Sequence, residues 1–200
     1  MKFSVKILLI LFGICFTSCH TESRPKPFSI EQSNLDIDSL INSLNTTGKK
    51  EKFLIKIDHN DQDARNPDRA NEILKRNKYN KSSYEYKEYL YRMIYVDSIN
   101  FVKVKKYLQT YGYPTFKSED YRVGSAIRLV CMHQPTYQKQ LELFPYLHKA
   151  YKDSLIEADS FSFLLNNMHR HKYGDSHPHA ITNEENIKQL LEKLGLEDTF

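Results

Sequence analysis

Apolar residues recur at steps of three and four through most of this chain, the spacing that places them on one face of an α-helix. The longest such segment runs from about Tyr84 to Tyr111 and ends at Gly112, where glycine commonly terminates a helix. Shorter helices are predicted at about 35–46, 50–65, 137–152, 160–171 and 182–194. Seven residues of the long segment are assigned to one face: Leu90, Met93, Ile94, Asp97, Phe101, Val104 and Leu108.

Several segments interrupt or complicate this helical pattern. Asn66-Pro67-Asp68 is expected to break the second helix, and the polar residues 75–83 are predicted to form a loop. Pro145 is expected to kink the helix that contains it. The apolar run from Gly124 to His133 suits a buried helix or a β-strand, because the period of so short a run does not separate the two. The pattern as a whole predicts a mostly α fold, a single compact multi-helix domain.

The first nineteen residues follow a different pattern. Lys2 and Lys6 precede an apolar run from Ile7 to Phe16, and small polar residues then lead into Cys19. A run of about ten apolar residues has the length of a secretory signal and is too short to span a bilayer, which takes ~20. The end of this pattern, Phe16-Thr17-Ser18-Cys19, resembles the lipobox of bacterial lipoproteins, of the Ser-Cys type common in Bacteroidota-like sequences.

The lipobox resemblance implies cleavage before Cys19, a diacylglycerol on its sulfur and acylation of the new amino terminus. The chain then divides into a signal peptide (1–18), a flexible tether (19–33) and a helical domain (34–200). Two or three acyl chains give stable anchoring. The implied location is the bacterial cell envelope, expected at the outer membrane on its periplasmic or surface side, with membrane contact through lipidated Cys19.

The net charge bears on nucleic-acid binding, and the cysteine content bears on disulfide bonds. The formal net charge of +4 falls by two, to +2, when Lys2 and Lys6 leave with the signal peptide. A dedicated nucleic-acid binder carries a strongly basic patch, so no nucleic acid is expected as a partner. Cys131 is the one thiol that remains free, which excludes an intrachain disulfide. Its apolar neighbours favour a buried side chain, and a nucleophile paired with His133 is the alternative.

Polar residues within the predicted helices supply the candidate site. Asp61 and Arg65 have the spacing of a helical ion pair, while an inward Gln62 beside Arg65 would suit a carboxylate or phosphate ligand. Asp97, with Asn100 three residues later, lies on an apolar face and therefore needs a cationic partner or a solvated cleft. Arg65 is the expected partner, either in a structural buried pair or in an active site.

The histidines offer two further possibilities. His133 ends the apolar segment, where it would cap or pack the helix, or act beside a cleft as a general base or acid. The other four lie close together near the C-terminus: His169, His171, His177 and His179. Imidazole binds zinc, copper and nickel, but neither pair has the spacing of a helical zinc site. A solvated polar loop is therefore favoured over a metal site there, and no cofactor is predicted.

The order of these motifs resembles that in a bacterial family of proteins of unknown function, several members of which are secreted or lipid-anchored. The matching motifs are Asp61-Gln62-x-x-Arg65, Asp97-x-x-Asn100, Tyr111-Gly112-Tyr113-Pro114, Gly124 and His133. The family pattern closes with Asp-Arg and Tyr-Gly-Thr-Gln, whereas this chain has His169-Arg170 and Tyr173-Gly174-Asp175-Ser176. The resemblance covers about residues 50–175, supports the limits of the domain and implies no activity.

Three functional hypotheses follow. The first is a lipid-anchored binding or accessory module, with a small-molecule or protein partner that the sequence does not identify. Its polar cluster would form a structural network or hold a small anionic or carbohydrate-like ligand through Gln62, Arg65, Asp97, Asn100 and His133. The second is an envelope hydrolase in which His133 is the base, Asp97 orients it and Arg65 stabilises developing negative charge. The third is a metal-binding protein that uses the C-terminal histidines.

Overall fold

The computed structural model describes residues 30–177 and 184–197, and within these ranges the chain forms nine helices and no strand. The prediction of a mostly α fold is confirmed. The helices are α1 (Ile30–Asn42), α2 (Thr47–Ala64), α3 (Pro67–Arg76), α4 (Tyr84–Tyr111), α5 (Tyr121–Met132), α6 (Tyr137–Leu141), α7 (Phe144–Lys152), α8 (Ala158–Tyr173) and α9 (Glu184–Leu194).

Two sets of packed helices enclose the core. α2 packs against α4 and α5, while α1 and α3 pack against α4; α8 in turn contacts α5, α6, α7 and α9. The buried residues of α2 include Phe53, Leu54 and Ile57, which the helical spacing places on one face. The main cluster of buried apolar residues extends from Ile37 to Leu196. Residues 20–200, the chain without the predicted signal peptide and Cys19, therefore contain the whole described core.

The segment after α2 differs from the prediction. Asn66-Pro67-Asp68 ends α2 as expected, but it also starts α3, which the sequence pattern did not indicate. The Asn66 side chain caps α3 by accepting hydrogen bonds from the backbone N–H groups of Asp68 and Arg69. Pro67 is the first residue of α3, a position whose N–H has no partner within a helix.

α4 has the predicted bounds, but the face assigned to its first half is wrong. Ile94 is 60% exposed and Leu90 is 37% exposed, whereas Tyr89 is buried. The end of α2 and the start of α3 lie beside Tyr89, whose hydroxyl donates to the backbone oxygen of Asn66 over 3.5 Å. The second half follows the prediction, with Phe101, Val104 and Leu108 buried.

The helix bounds also decide one alternative that the sequence left open and correct the prediction at Pro145. The run from Gly124 to His133 is helical, because α5 begins at Tyr121 after Asp120 caps it and continues to Met132. Pro145 does not kink one long helix. Instead α6 ends at Leu141, and α7 begins at Phe144 with Pro145 in its first turn, where proline interrupts no helical hydrogen bond.

The predicted signal peptide, Cys19 and most of the tether lie outside the described residues, as does the predicted Thr182-Asn183 start of the last helix. α1 begins at Ile30, inside the range predicted to be tether. Among the helices described, none combines the length and the apolar character needed to cross a membrane.

Candidate functional site

Three helices bring four ionisable side chains together. Asp61 lies in the last turn of α2, and Arg65 is the residue that caps this helix. Asp97 lies near the middle of α4, and His133 caps the end of α5. α2 packs against both of the other helices, which brings these side chains within contact distance. We refer to Asp61, Arg65, Asp97 and His133 as the polar network.

Arg65 is the central hydrogen-bond donor of the polar network. Its Nη1 donates to Oδ1 of Asp61 over 2.8 Å, and its Nη2 donates to Oδ1 and Oδ2 of Asp97 over 2.7 and 2.8 Å. Both contacts that the sequence suggested, the ion pair within α2 and the pair with Asp97, are present. One guanidinium thus links α2 to α4.

His133 joins the network through Asp61. The Nδ1 atom of His133 lies 2.7 Å from Oδ1 of Asp61, and within the described residues its Nε2 has no hydrogen-bond partner. The expectation that Asp97 orients His133 is therefore corrected, because Asp61 makes that contact. Asp61 faces α5, one turn after Asp58, whose carboxylate accepts a hydrogen bond from Ser125 of α5.

The two residues predicted to bind a ligand occupy different positions. Gln62 does not point inward: it is exposed, and its Nε2 donates to Oδ2 of Asp61 over 3.0 Å. Asn100 is 2% exposed, and its Nδ2 donates to the backbone oxygen of Ile57 over 3.4 Å. Asn100 therefore ties α4 to α2 instead of lying open to a ligand.

The charge of the polar network depends on His133. Two carboxylates and one guanidinium leave it negative when the imidazole is neutral and balanced when the imidazole carries a proton. Burial raises the pKa of the Asp97 carboxyl, and the hydrogen bond from Arg65 opposes that rise. Because Asp61 is 1% exposed and Asp97 is 15% exposed, Arg65 supplies the partner that buried carboxylates require.

The same residues include atoms that bind metals in other proteins. One ligand atom each from Asp61, Asp97 and His133 lies within 4.8 Å of the other two. Carboxylate oxygen and imidazole nitrogen together suit several divalent metals. The guanidinium of Arg65 already bonds both carboxylates, so a metal ion would have to displace it. The arrangement is that of a salt-bridge network.

Two of the C-terminal histidines meet in the part of the chain that the structure describes, but they do not form a three-ligand metal group there. His169 is buried, with Nδ1 lying 2.9 Å from the backbone oxygen of Asp175, and its ring meets that of His177 edge-on at 5.3 Å. His171 is exposed. These three histidines form no group of three ligands among the described residues, and His179 lies outside them.

Cys131 is buried, as the sequence favoured, whereas Asp61 has a contact that its motif did not indicate. Cys131 is fully buried and its Sγ donates to the backbone oxygen of Gln140 over 3.7 Å, as expected for a core thiol and not for a nucleophile of His133. The sequence pattern indicates Asp61 only as a helical partner of Arg65, although it is the carboxylate that contacts His133. Leu54, Ile57 and Asp61 are spaced three and four residues apart, which places all three on the buried face of α2. This spacing is the sequence signal that identifies Asp61 as a buried residue.

Comparison of the chain with protein-family models, with curated proteins and with solved structures found no match. The resemblance to the family of unknown function therefore stays a prediction.

Proposed function

We propose that the protein is a lipid-anchored component of the bacterial cell envelope, and that its helical domain is a binding or accessory module. The evidence for the lipid anchor is the N-terminal leader sequence. It consists of Lys2 and Lys6, the apolar run from Ile7 to Phe16, and Ser18 directly before Cys19. A short apolar run between a cationic start and small residues is the pattern that secretion signals require.

Metabolic labelling tests the anchor. The full chain is expressed in a bacterial host supplied with an alkyne analogue of palmitate, and labelling and membrane fractionation are compared for the native chain, Cys19→Ala and Cys15→Ala. We expect label in the native chain and in the matched control Cys15→Ala, since that residue leaves with the signal peptide. Label that persists in Cys19→Ala, or an unlabelled native chain in the soluble fraction, would contradict the proposal.

The polar network supports the module more than it supports an enzyme. The terminal nitrogens of Arg65 already donate to two carboxylates, so its positive charge is offset before a substrate develops negative charge. The His133 ring is the most exposed member of the network at 23%, closely followed by Arg65 at 21%. The exposed Gln62 is bonded to the same Asp61 carboxylate as His133. In this proposal the network holds α2, α4 and α5 together, and His133 contacts the ligand or partner.

The contact between Asp61 and His133 favours a second candidate, an envelope hydrolase. If Nδ1–H donates to Asp61, the free Nε2 is the nitrogen that accepts a proton. A water oxygen would then bond to the acyl carbon of an ester while one water proton passes to Nε2. That proton would next move to the leaving-group oxygen as its bond to carbon breaks, and Asp61 would stabilise the imidazolium in between.

The variant His133→Asn separates the two candidates. An asparagine amide can still donate to Asp61 from the position of Nδ1, but it has no basic nitrogen. Residues 20–200 are assayed with p-nitrophenyl acetate and p-nitrophenyl butyrate, and His171→Asn is the matched control. The hydrolase predicts a loss of roughly 100-fold or more in His133→Asn alone, with an unchanged Tm. Equal hydrolysis by both variants, or none above buffer by the native chain, would remove the hydrolase for these esters.

A further inference from the structure

A groove separate from the polar network lies between α1, α2 and α4. It encloses about 270 Å³. Its floor is apolar and buried, formed by Leu44, Phe53 and Ile57, and Leu40 lies at its edge with 38% of its surface exposed. The groove is therefore an apolar slot that opens to solvent.

The charged residues around the groove all have the same sign. Lys49, Lys52 and Lys56 line it from α2, and Lys103 lines it from α4, whereas no aspartate or glutamate is among the described residues that line it. The Nζ of Lys49 donates to Ser43 and Asn45. For Lys52, Lys56 and Lys103, no salt bridge forms with any described residue.

Two other lysines of α4 form salt bridges, unlike the lysines that line the groove. On α4, Lys105 pairs with Glu142 and Lys106 pairs with Asp38. Lysine stems often lie along apolar surface with the charged end in water, and this accounts for the position of a single lysine. It does not account for several unpaired lysines around one slot, because like charges close together repel. Burial is the main cause of a lowered pKa for Lys103, and repulsion from the nearby Lys56 adds to it.

We propose that this groove binds a single-chain amphipathic anion, with the anionic head among Lys52, Lys56 and Lys103 and the apolar chain on the floor of Phe53 and Ile57. The negative charge of the proposed ligand follows from the lining of the groove, which has four lysines and no carboxylate among the described residues. The single chain follows from the volume, since 270 Å³ lies below the ~300–1,000 Å³ of typical ligand pockets and leaves no room for a two-chain lipid. This site goes beyond the proposed function and does not depend on the polar network or on Cys19.

Calorimetric titration of residues 20–200 with sodium decanoate, below its micelle concentration, tests the proposal. Decanol, acetate and vesicles of phosphatidylglycerol are titrated in parallel. We expect decanoate to bind more tightly than either control, because decanol lacks the anionic head group and acetate lacks the apolar chain. Binding of decanol as tight as that of decanoate would overturn the proposal, because the lysines would then have no role. Binding to the vesicles alone would also overturn it, in favour of a membrane-surface contact.

Two variants assign the binding to the groove. Lys56→Met and Lys103→Met keep the apolar stem and remove the charge, and Lys87→Met, on an exposed part of the same helix as Lys103, is the matched control. Each groove variant should weaken decanoate binding by about ten-fold or more, the size expected for one charge-assisted contact, with an unchanged thermal transition in the absence of decanoate. Unchanged affinity in both groove variants, or the same loss in Lys87→Met, would place the ligand elsewhere and overturn the proposal.

Discussion

Replacement of Arg65 by methionine should destabilise the folded protein far more than a similar replacement at the surface. The change removes the cation that Asp61 and Asp97 share and keeps most of the apolar stem. Removing one partner of a buried ion pair costs ~3–5 kcal/mol, because a buried charge is left unpaired. Asp61 is 1% exposed, but Arg65 is 21% exposed, so we expect a loss near the lower limit, about 3 kcal/mol.

Urea unfolding of residues 20–200, followed by far-ultraviolet circular dichroism, measures this free energy of unfolding. In thermal unfolding, a loss of about 3 kcal/mol corresponds to a fall in Tm of roughly 6–12 °C for a domain of this size. Arg92→Met is the matched control. Arg92 pairs with Asp63 over 2.9 Å, but these side chains are 55% and 38% exposed, so this loss should be about 1 kcal/mol or less.

Equal losses in the two arginine variants would refute the reasoning, since the argument depends on the burial of the carboxylates. The pH dependence supplies a second check. The pKa of Asp97 is already raised by burial, and it rises further once Arg65 no longer lowers it. A raised folded-state pKa means that stability is present below the unfolded pKa, about 3.9, and is lost as pH rises. The difference between Arg65→Met and the native chain should therefore shrink as pH falls from 7 towards 4, and a constant difference would contradict a charge effect.

Three further predictions concern the core and the helix ends. Burial raises the pKa of the Asp58 carboxyl, so its ionised form lowers the stability of the fold as pH rises above about 4. Asp58→Asn should therefore flatten the pH profile of urea unfolding between about 4 and 6. An unchanged profile would contradict this prediction. Burial also raises the pKa of the Cys131 thiol. Residues 20–200 contain no other cysteine, so a chromogenic thiol reagent should react only after denaturation, and fast reaction of the folded protein would be inconsistent with a core thiol. Gly112 caps α4 with φ +72°, so Gly112→Ala should cost ~1–3 kcal/mol, whereas Gly124→Ala within α5, where an added methyl meets nothing within 4 Å, should gain ~0.5–1 kcal/mol. Thermal unfolding measures both, and effects of the same sign would refute the backbone argument.

Local patterns in the sequence predicted most of the secondary structure. The bounds of α4 follow from its apolar period and from Gly112, and the ion pair of Asp61 with Arg65 follows from a spacing of four residues. Asn66-Pro67 shows where such reasoning was incomplete. The same residues that end one helix also supply the cap and first residue of the next, and both roles are local.

The candidate site depended on more than local pattern. The sequence suggested that Arg65 meets Asp97, because a carboxylate on an apolar face needs a cation. It did not show that Asp61 is the carboxylate that binds His133, that Gln62 is exposed, or that Asn100 bonds the backbone of α2.

What the sequence determined by itself is the helical character of the chain and which residues share a helix face, while the leader with Cys19 stays a prediction. The tertiary structure alone decided which of those faces are covered: it left Ile94 exposed and brought Lys103 of α4 beside Lys56 of α2. The physical reason is that periodicity arises from the geometry of one helix. Burial, ion pairing and the placement of like charges around a groove arise from contacts between helices far apart in sequence.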